Sequence, residues 1–274
     1  MHLRTRLTAV AAVAIAVAAA PPPAPAQGFS TTNVQLLQGF SFDDRKTGAD
    51  TRSGDMTTIT VNHFSTWEYG DNFFFVDIQT GYFNASSNGN AGSGFRGEAG
   101  AMLYGEWHPR LFVNKLAGQK APLLGLFSNY GLAFELNQGQ GFYAYLGGVG
   151  VDFALPRPYS AGLNVYYRYD RFDRHEWQVS PFWNIPFALG PVPLLFSGFV
   201  DIAGSTDIDR NQDLDVMAQP ELLVDVLAPF GGKANRLHVG VEWYWHRYPS
   251  GFYGSPAPGH TTSAPQAMVQ WTVY

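Results

Sequence analysis

Long segments in which apolar and polar side chains strictly alternate are the feature that most restricts the fold of this chain. In the segment 237–248, Leu237, Val239 and Val241 fall on one face of an extended strand, whereas His238 and Glu242 fall on the other. The same period of two recurs clearly near 73–82, 95–108, 143–153, 161–171, 177–185 and 216–226, and more weakly near 33–43, 55–66, 123–136, 194–203 and 264–274. The pattern predicts about 12 strands, each with one apolar and one polar face.

Composition indicates what the apolar faces contact. The chain has 21 Phe, 14 Tyr and 7 Trp but only 14% charged residues, a balance typical of barrels with aromatic girdles at the membrane surface. After residue 20, no apolar stretch approaches the roughly 20 residues that a membrane-spanning helix needs. Only helices and closed barrels satisfy the backbone in lipid. We therefore predict an all-β, 12-stranded antiparallel transmembrane β-barrel of the bacterial outer membrane.

The first residues predict export. Arg4 and Arg6 precede an apolar run, Leu7–Ala20, of about 14 residues, which is shorter than a membrane span. Ala24-Pro25-Ala26 then fits a cleavage site, so we predict a cleaved signal peptide over 1–26 and the barrel over 27–274. The predicted mature chain is mildly acidic and is therefore expected to bind no nucleic acid.

Loop lengths predict the orientation. Connections near 44–54, 84–94, 204–214 and 249–262 are long, whereas those near 67–71, 154–159 and 187–193 are short. Long loops are extracellular in such barrels, so both chain ends are expected in the periplasm. The long connection 109–122 is an exception that the pattern alone does not explain.

Aromatic rings and charged groups together on the lumen faces are the candidate solute contacts, because an aromatic base needs a ring to stack on and sugar hydroxyls need hydrogen-bond partners. The alternative is that these charges only pair with one another and line the wall. The candidate residues are Phe73, Phe75, Asp77, Arg96, Glu98, Tyr104, Glu106, Tyr166, Arg168, Asp170, Glu242 and Tyr244.

Two patterns resemble metal sites. His238, Glu242 and His246 recur at spacings of four, but such neighbours lie ~13 Å apart on a strand, so we interpret them as lumen-lining. The acidic run Asp207–Asp215 resembles the start of a calcium loop but has Gln212 and Ala218 where Gly and Glu are expected. A solvated acidic loop is the favoured interpretation, and an ion shared with lipopolysaccharide phosphates stays open. We expect neither a metal nor a cofactor.

An enzymatic alternative rests on His63 and Ser65, which lie on one face of a strand, as in some lipid-modifying barrels. Residues two apart on a strand are ~6.6 Å apart, and no third catalytic member is evident. We therefore expect no enzyme. A third alternative is a structural or receptor barrel without transport specificity.

Three motifs resemble the nucleoside-specific channel-forming outer-membrane porins, the Tsx-like or OmpK-like family. They are WEYGDNFFFVD at 67–77, EWHPRL at 106–111 continuing to Lys115-Leu116, and LNVY at 163–166 ending at Tyr169. The resemblance is firm over 56–170 and loose after that. It implies a monomeric 12-stranded channel for passive diffusion of nucleosides, embedded among outer-membrane lipids and lipopolysaccharide. It also accounts for the long connection 109–122, because the family's Pro-Arg motif lies there.

Overall fold

The computed structural model describes residues 28–40, 42, 54–82, 99–139, 142–171, 174–206, 213–249 and 259–273. The predicted signal peptide, the candidate residues Arg96 and Glu98, and residues 207–212 of the acidic run lie outside the described residues.

Long strands make up most of the described chain. They are β1 (Ser30–Gly39), β2 (Met56–Trp67), β3 (Gly70–Tyr82), β4 (Ala99–Phe112), β5 (Phe127–Gly139), β6 (Phe142–Phe153), β7 (Ser160–Asp170), β8 (His175–Leu189), β9 (Val192–Ser205), β10 (Asp215–Ala218), β11 (Glu221–Asp225), β12 (Leu237–Tyr248) and β13 (His260–Thr272). A single-turn helix, α1 (Val113–Leu116), follows β4, and a 3₁₀ turn covers Ala228–Phe230. None of the helices in the described ranges is long and apolar enough to cross a membrane.

The strands form one closed antiparallel ring. Apart from β10 and β11, each pairs with its neighbours in sequence, and β1 closes the ring by pairing with both β2 and β13. Strands β10 and β11 share a single position, because both lie between β9 and β12. They are separated at Gln219-Pro220, where proline has no N–H to give to the ladder. The ring therefore has 12 strand positions, and the predicted 12-stranded barrel is confirmed.

The two faces of the barrel differ as the alternation predicts. Apolar side chains on the outward face are exposed, for example Val149 at 57% and Val241 at 50%. Polar side chains on the inward face are buried, for example Glu135 at 2% and Asp170 at 0%. An apolar exterior around a polar interior is the reverse of a water-soluble domain and defines a transmembrane barrel.

The connections divide the barrel into two ends. The near end has both termini of the described chain and the connections 68–69, 113–126, 154–159, 190–191 and 226–236; the far end has the other connections. The sequence predicts that the connection after β4 begins at residue 109. This prediction is wrong, because β4 continues through Pro109 to Phe112. Pro109 pairs with Asn72 on β3. On the other side of β4, pairing with β5 is interrupted between Trp107 and Arg110, so the missing N–H of Pro109 lies at this interruption.

Candidate solute pathway in the barrel lumen

The structure brings the described candidate residues to one surface, the inner wall of the barrel. Their positions follow from the strand registers, in which the inward residues of adjacent strands are paired. The residues on this wall are Phe73, Phe75, Asp77, Tyr104, Glu106, Tyr166, Arg168, Asp170, Glu242 and Tyr244.

An aromatic ladder runs along β3 and β4, formed by Phe73, Phe75, Tyr104 and His108. The ring centroids of Phe73 and Phe75 are 6.1 Å apart, those of Phe75 and Tyr104 are 6.1 Å apart, and those of Phe73 and His108 are 5.6 Å apart. These distances are those of interacting aromatic pairs. All four side chains are only partly buried, so the ladder faces open space in the lumen.

Carboxylates face this ladder from the opposite wall. Strand β9 lies six positions from β3 in the ring of 12, so the two face each other across the lumen. On this side Asp201 accepts a hydrogen bond from Ser180 at 2.6 Å, and Glu221 accepts one from Ser197 at 2.8 Å. Asp201 and Glu221 are partly exposed. Partly exposed inward residues thus lie on two opposed walls of the lumen.

The other sectors of the inner wall are packed. On β5 to β7, the inward residues Ala133, Ala144, Leu146 and Tyr166 form a buried cluster. Close packing also uses glycine, since a Cβ at Gly148 would lie 1.9 Å from a backbone oxygen of the next strand. On β1 and β13, most of the inward residues, including Leu37 and Met268, are likewise buried. Between the aromatic ladder and the carboxylates of β9 and β11, by contrast, side chains of both walls are partly exposed.

A buried arginine lies toward the near end of this space. The Arg110 guanidinium donates to Asp71 on the adjacent strand, with Nε–Oδ1 at 2.8 Å, and to Asp152 two strands away, with Nη1–Oδ1 at 2.7 Å. The rings of Phe112 and Phe182 lie 5.0 Å from its Cζ. Phe182 belongs to β8, so the arginine side chain reaches into the lumen rather than lying along its own wall.

A second charged cluster lies toward the far end. Arg174 donates to Asp170 at 2.8 Å and to Glu176 at 3.0 Å, and Arg168 donates to Gln178 at 2.9 Å. The candidates Arg168 and Asp170 are therefore engaged with the wall. This supports, for these two residues, the alternative in which lumen charges pair with one another.

Phe42 closes part of the far mouth. It lies in the connection between β1 and β2, yet it is only 1% exposed and packs inside the barrel against Met56 and Ala264. Its ring centroid is 5.3 Å from that of Tyr244. A residue of the first far-end connection thus narrows the entrance to the lumen.

The residues of the enzymatic alternative lie on the outward face. His63 Nδ1 is 2.8 Å from the Thr32 hydroxyl, and Ser65 accepts a hydrogen bond from Asn72 at 3.5 Å. His63 is thus held by Thr32 and Ser65 by Asn72, an arrangement that does not form a nucleophile–base pair.

The three regularly spaced residues of β12 contact different partners. Glu242 accepts a hydrogen bond from Gln266 at 2.6 Å, His246 lies 2.9 Å from Asp215, and His238 is buried near the other end of the strand. Their interpretation as separate lumen-lining residues is confirmed.

Several residues of the inner wall are not among the candidates that the sequence predicts. They are His108, Glu135, Asp201 and Glu221. The alternation of inward and outward residues is the sequence feature that could identify them. Glu135 and Asp201 lie on the inward faces of β5 and β9, between apolar residues that face outward. Glu106, His108 and Glu135 place three potential metal-ligand atoms within 4.8 Å of one another.

A closed 12-position ring with an apolar exterior and a polar interior places this chain among the outer-membrane β-barrels. No protein-family model matches the chain, and no curated protein matches it. Among solved structures, it is similar to the KdgM porin in complex with disordered oligogalacturonate, with 9% identity and a TM-score of 0.46 over 90% of this chain and 100% of that one. It is also similar to a bacterial polysaccharide outer membrane secretin, with 8% identity and a TM-score of 0.42 over 90% of this chain and 99% of that one.

Proposed function

We propose that this protein is a monomeric channel for the passive diffusion of small polar solutes across the outer membrane, and that nucleosides are its preferred solutes. The observation that carries the proposal is the pair of opposed walls. Partly exposed aromatic rings line one side of the described lumen, and the partly exposed carboxylates Asp201 and Glu221 line the other.

This pairing matches the chemistry of a nucleoside. A planar base stacks on a ring such as Phe75 or Tyr104, which provides apolar contact without fixing one base identity. Ribose hydroxyls donate hydrogen bonds to carboxylates such as Asp201 and Glu221. A solute bridging the two walls uses both kinds of contact at once, and single contacts can break while others persist, as conduction requires.

Charge in the lumen supports a preference among related solutes. On the described inner wall, carboxylates outnumber arginines, and both Arg110 and Arg168 are held by side chains of the wall. A net negative lumen favours neutral and cationic solutes and repels anions. Nucleosides should therefore pass more readily than nucleotides of the same base.

The proposal is tested with the full-length barrel in planar lipid bilayers. Adenosine added to one side should reduce the single-channel current in a saturable way, and AMP should do so much less. Phe75→Ala should weaken this block. Phe74→Ala is the matched control, because Phe74 is the neighbouring aromatic residue on the outward face, stacked on His63. A current that adenosine leaves unchanged, or equal block in the two variants, would reject nucleoside recognition by the ladder.

A structural barrel is the second candidate, and the packing of the lumen favours it. Phe42 occupies the far mouth, and Arg110 with its two carboxylates occupies the near part. A barrel sealed at both points conducts no solute. The same recordings separate the candidates, because a structural barrel inserts without producing current steps.

A further inference from the structure

We propose that Glu106, His108 and Glu135 form a binding site for a divalent transition-metal ion inside the lumen, with Zn²⁺ as its reference ligand. The sequence predicted no metal site, so this site comes from the structure alone. It does not depend on the channel function, because an ion can bind there whether or not solutes pass.

The three side chains converge from two adjacent strands. Glu106 and His108 lie on β4 and point inward, and the register places Glu135 of β5 opposite His108, between the Trp107–Leu136 and Arg110–Ala133 pairs. His108 Nε2 lies 2.8 Å from Glu106 Oε2, and His108 Nδ1 lies 3.4 Å from Glu135 Oε2. One imidazole nitrogen and two carboxylate oxygens lie within 4.8 Å of one another. Because the two carboxylates contact different ring nitrogens, the imidazole must rotate to turn one nitrogen toward a common ion, at about 2 Å from each ligand atom.

A buried carboxylate oxygen of this cluster has no hydrogen-bond partner. Glu135 is 2% exposed, yet its Oε1 has no hydrogen-bond partner. On the next inward position of β5, Asn137 is 5% exposed, and its Oδ1 also has none. Asn137 is paired directly with Glu106 in the β4–β5 register. Buried polar atoms are normally satisfied, and a cation bound by Glu135 would supply a partner for this second carboxylate oxygen, which His108 does not contact.

The arginines of the described inner wall contact other side chains. Arg110 is bound by Asp71 and Asp152, and Arg168 donates to Gln178 and lies 3.6 Å from Glu176. His108 is thus the basic side chain in contact with Glu106 and Glu135.

The donor set selects the kind of ion. One imidazole and two carboxylates suit Zn²⁺ and similar first-row ions, whereas Ca²⁺ requires six to eight oxygen ligands. Three protein ligands leave a coordination position for water or solute. Because the His108 side chain is 20% exposed, this position faces the lumen space beside the aromatic ladder.

Isothermal titration calorimetry of the folded, full-length barrel in detergent tests the site. Zn²⁺ should bind with a stoichiometry of one, and Ca²⁺ should give no comparable binding. His108→Gln and Glu135→Gln should each raise the Kd for Zn²⁺ more than about 10-fold, since even indirect supporting partners of a metal site are worth that much. His246→Gln is the matched control, because His246 is also an inward histidine beside a carboxylate, on the distant strand β12. It should leave the Kd unchanged.

Zinc K-edge absorption spectroscopy gives a second readout, and heat-modifiable migration on gels verifies that each variant is folded. The wild-type spectrum should show one imidazole nitrogen together with oxygen ligands. The spectrum of His108→Gln should lack that nitrogen. The proposal is overturned by absent Zn²⁺ binding, by equal affinity in wild type and His108→Gln, or by a shell of oxygens alone. If His108→Gln does not fold, the same comparison with Glu135→Gln decides the outcome. Failure of the channel proposal would appear as absent current and leaves these measurements intact.

Discussion

Replacing Arg110 by methionine tests whether the lumen charges stabilise the barrel as buried partners. Arg110 is 8% exposed, and its guanidinium holds Asp71, which is 6% exposed, and Asp152, which is 19% exposed. Methionine preserves much of the side-chain volume but leaves both carboxylates without their cation. Removing one partner of a buried ion pair costs about 3–5 kcal/mol, and the partial exposure of Asp152 places the expected loss near the lower end.

The double variant Arg110→Met/Asp71→Asn separates charge from packing. It removes the more buried of the two unpaired carboxylates, so it should recover more than half of the stability lost in Arg110→Met. Lys233→Met is the control, because Lys233 is an exposed cation in a near-end connection, and its free energy of unfolding should change by less than about 0.5 kcal/mol.

The assay is reversible urea unfolding of the barrel in lipid vesicles, monitored by tryptophan fluorescence. A loss below about 1 kcal/mol in Arg110→Met would refute the reasoning, since it would mean that water screens the cluster. A double variant no more stable than the single one would also refute it, because the loss would then reflect packing against Phe112 and Phe182.

Three further predictions follow from the same packing. Phe42→Ala should increase the single-channel conductance, because it removes the ring from the far mouth, whereas Phe40→Ala, at an exposed position, should leave the conductance unchanged. Equal conductance of Phe42→Ala and wild type would show that Phe42 does not limit the current. The channel should be cation-selective in a salt gradient, and Asp77→Asn should shift the reversal potential toward zero; an anion-selective potential would contradict the charge argument. Leu223→Ala should destabilise the barrel by about 2–5 kcal/mol, because Leu223 is fully buried in the lumen, whereas outward-facing Leu222→Ala should cost less; the reverse order in urea unfolding would contradict the assignment of faces.

The strand faces could be predicted from the sequence because they follow a local rule. In β7, Asn164, Tyr166, Arg168 and Asp170 alternate with apolar residues, and strict pairing with β6 and β8 keeps that parity. The number of strands followed for the same reason. The extent of β4 could not be predicted in this way, because a proline such as Pro109 indicates the end of a strand. The pairing of β4 with β3 and β5 shows that the missing N–H of Pro109 lies where the β4–β5 pairing is interrupted.

Contacts across the lumen could not be predicted, because they depend on register and barrel diameter rather than on local pattern. The meeting of Arg110 with Phe182 joins strands four positions apart in the ring. The convergence of His108 and Glu135 requires the β4–β5 register, and the packing of Phe42 against Met56 and Ala264 joins residues that are distant in sequence. The sequence therefore predicts the correct face for Arg168 and Asp170, but it does not show that other side chains bind them.

The central claim, passage of nucleosides through the lumen, is tested most directly by flux into proteoliposomes. Radiolabelled adenosine should enter vesicles containing the wild-type barrel much faster than protein-free vesicles, with a rate that saturates with concentration and falls in Phe75→Ala. Entry at the rate of protein-free vesicles would contradict transport. A rate that rises linearly and is unchanged in Phe75→Ala would contradict recognition by the aromatic ladder.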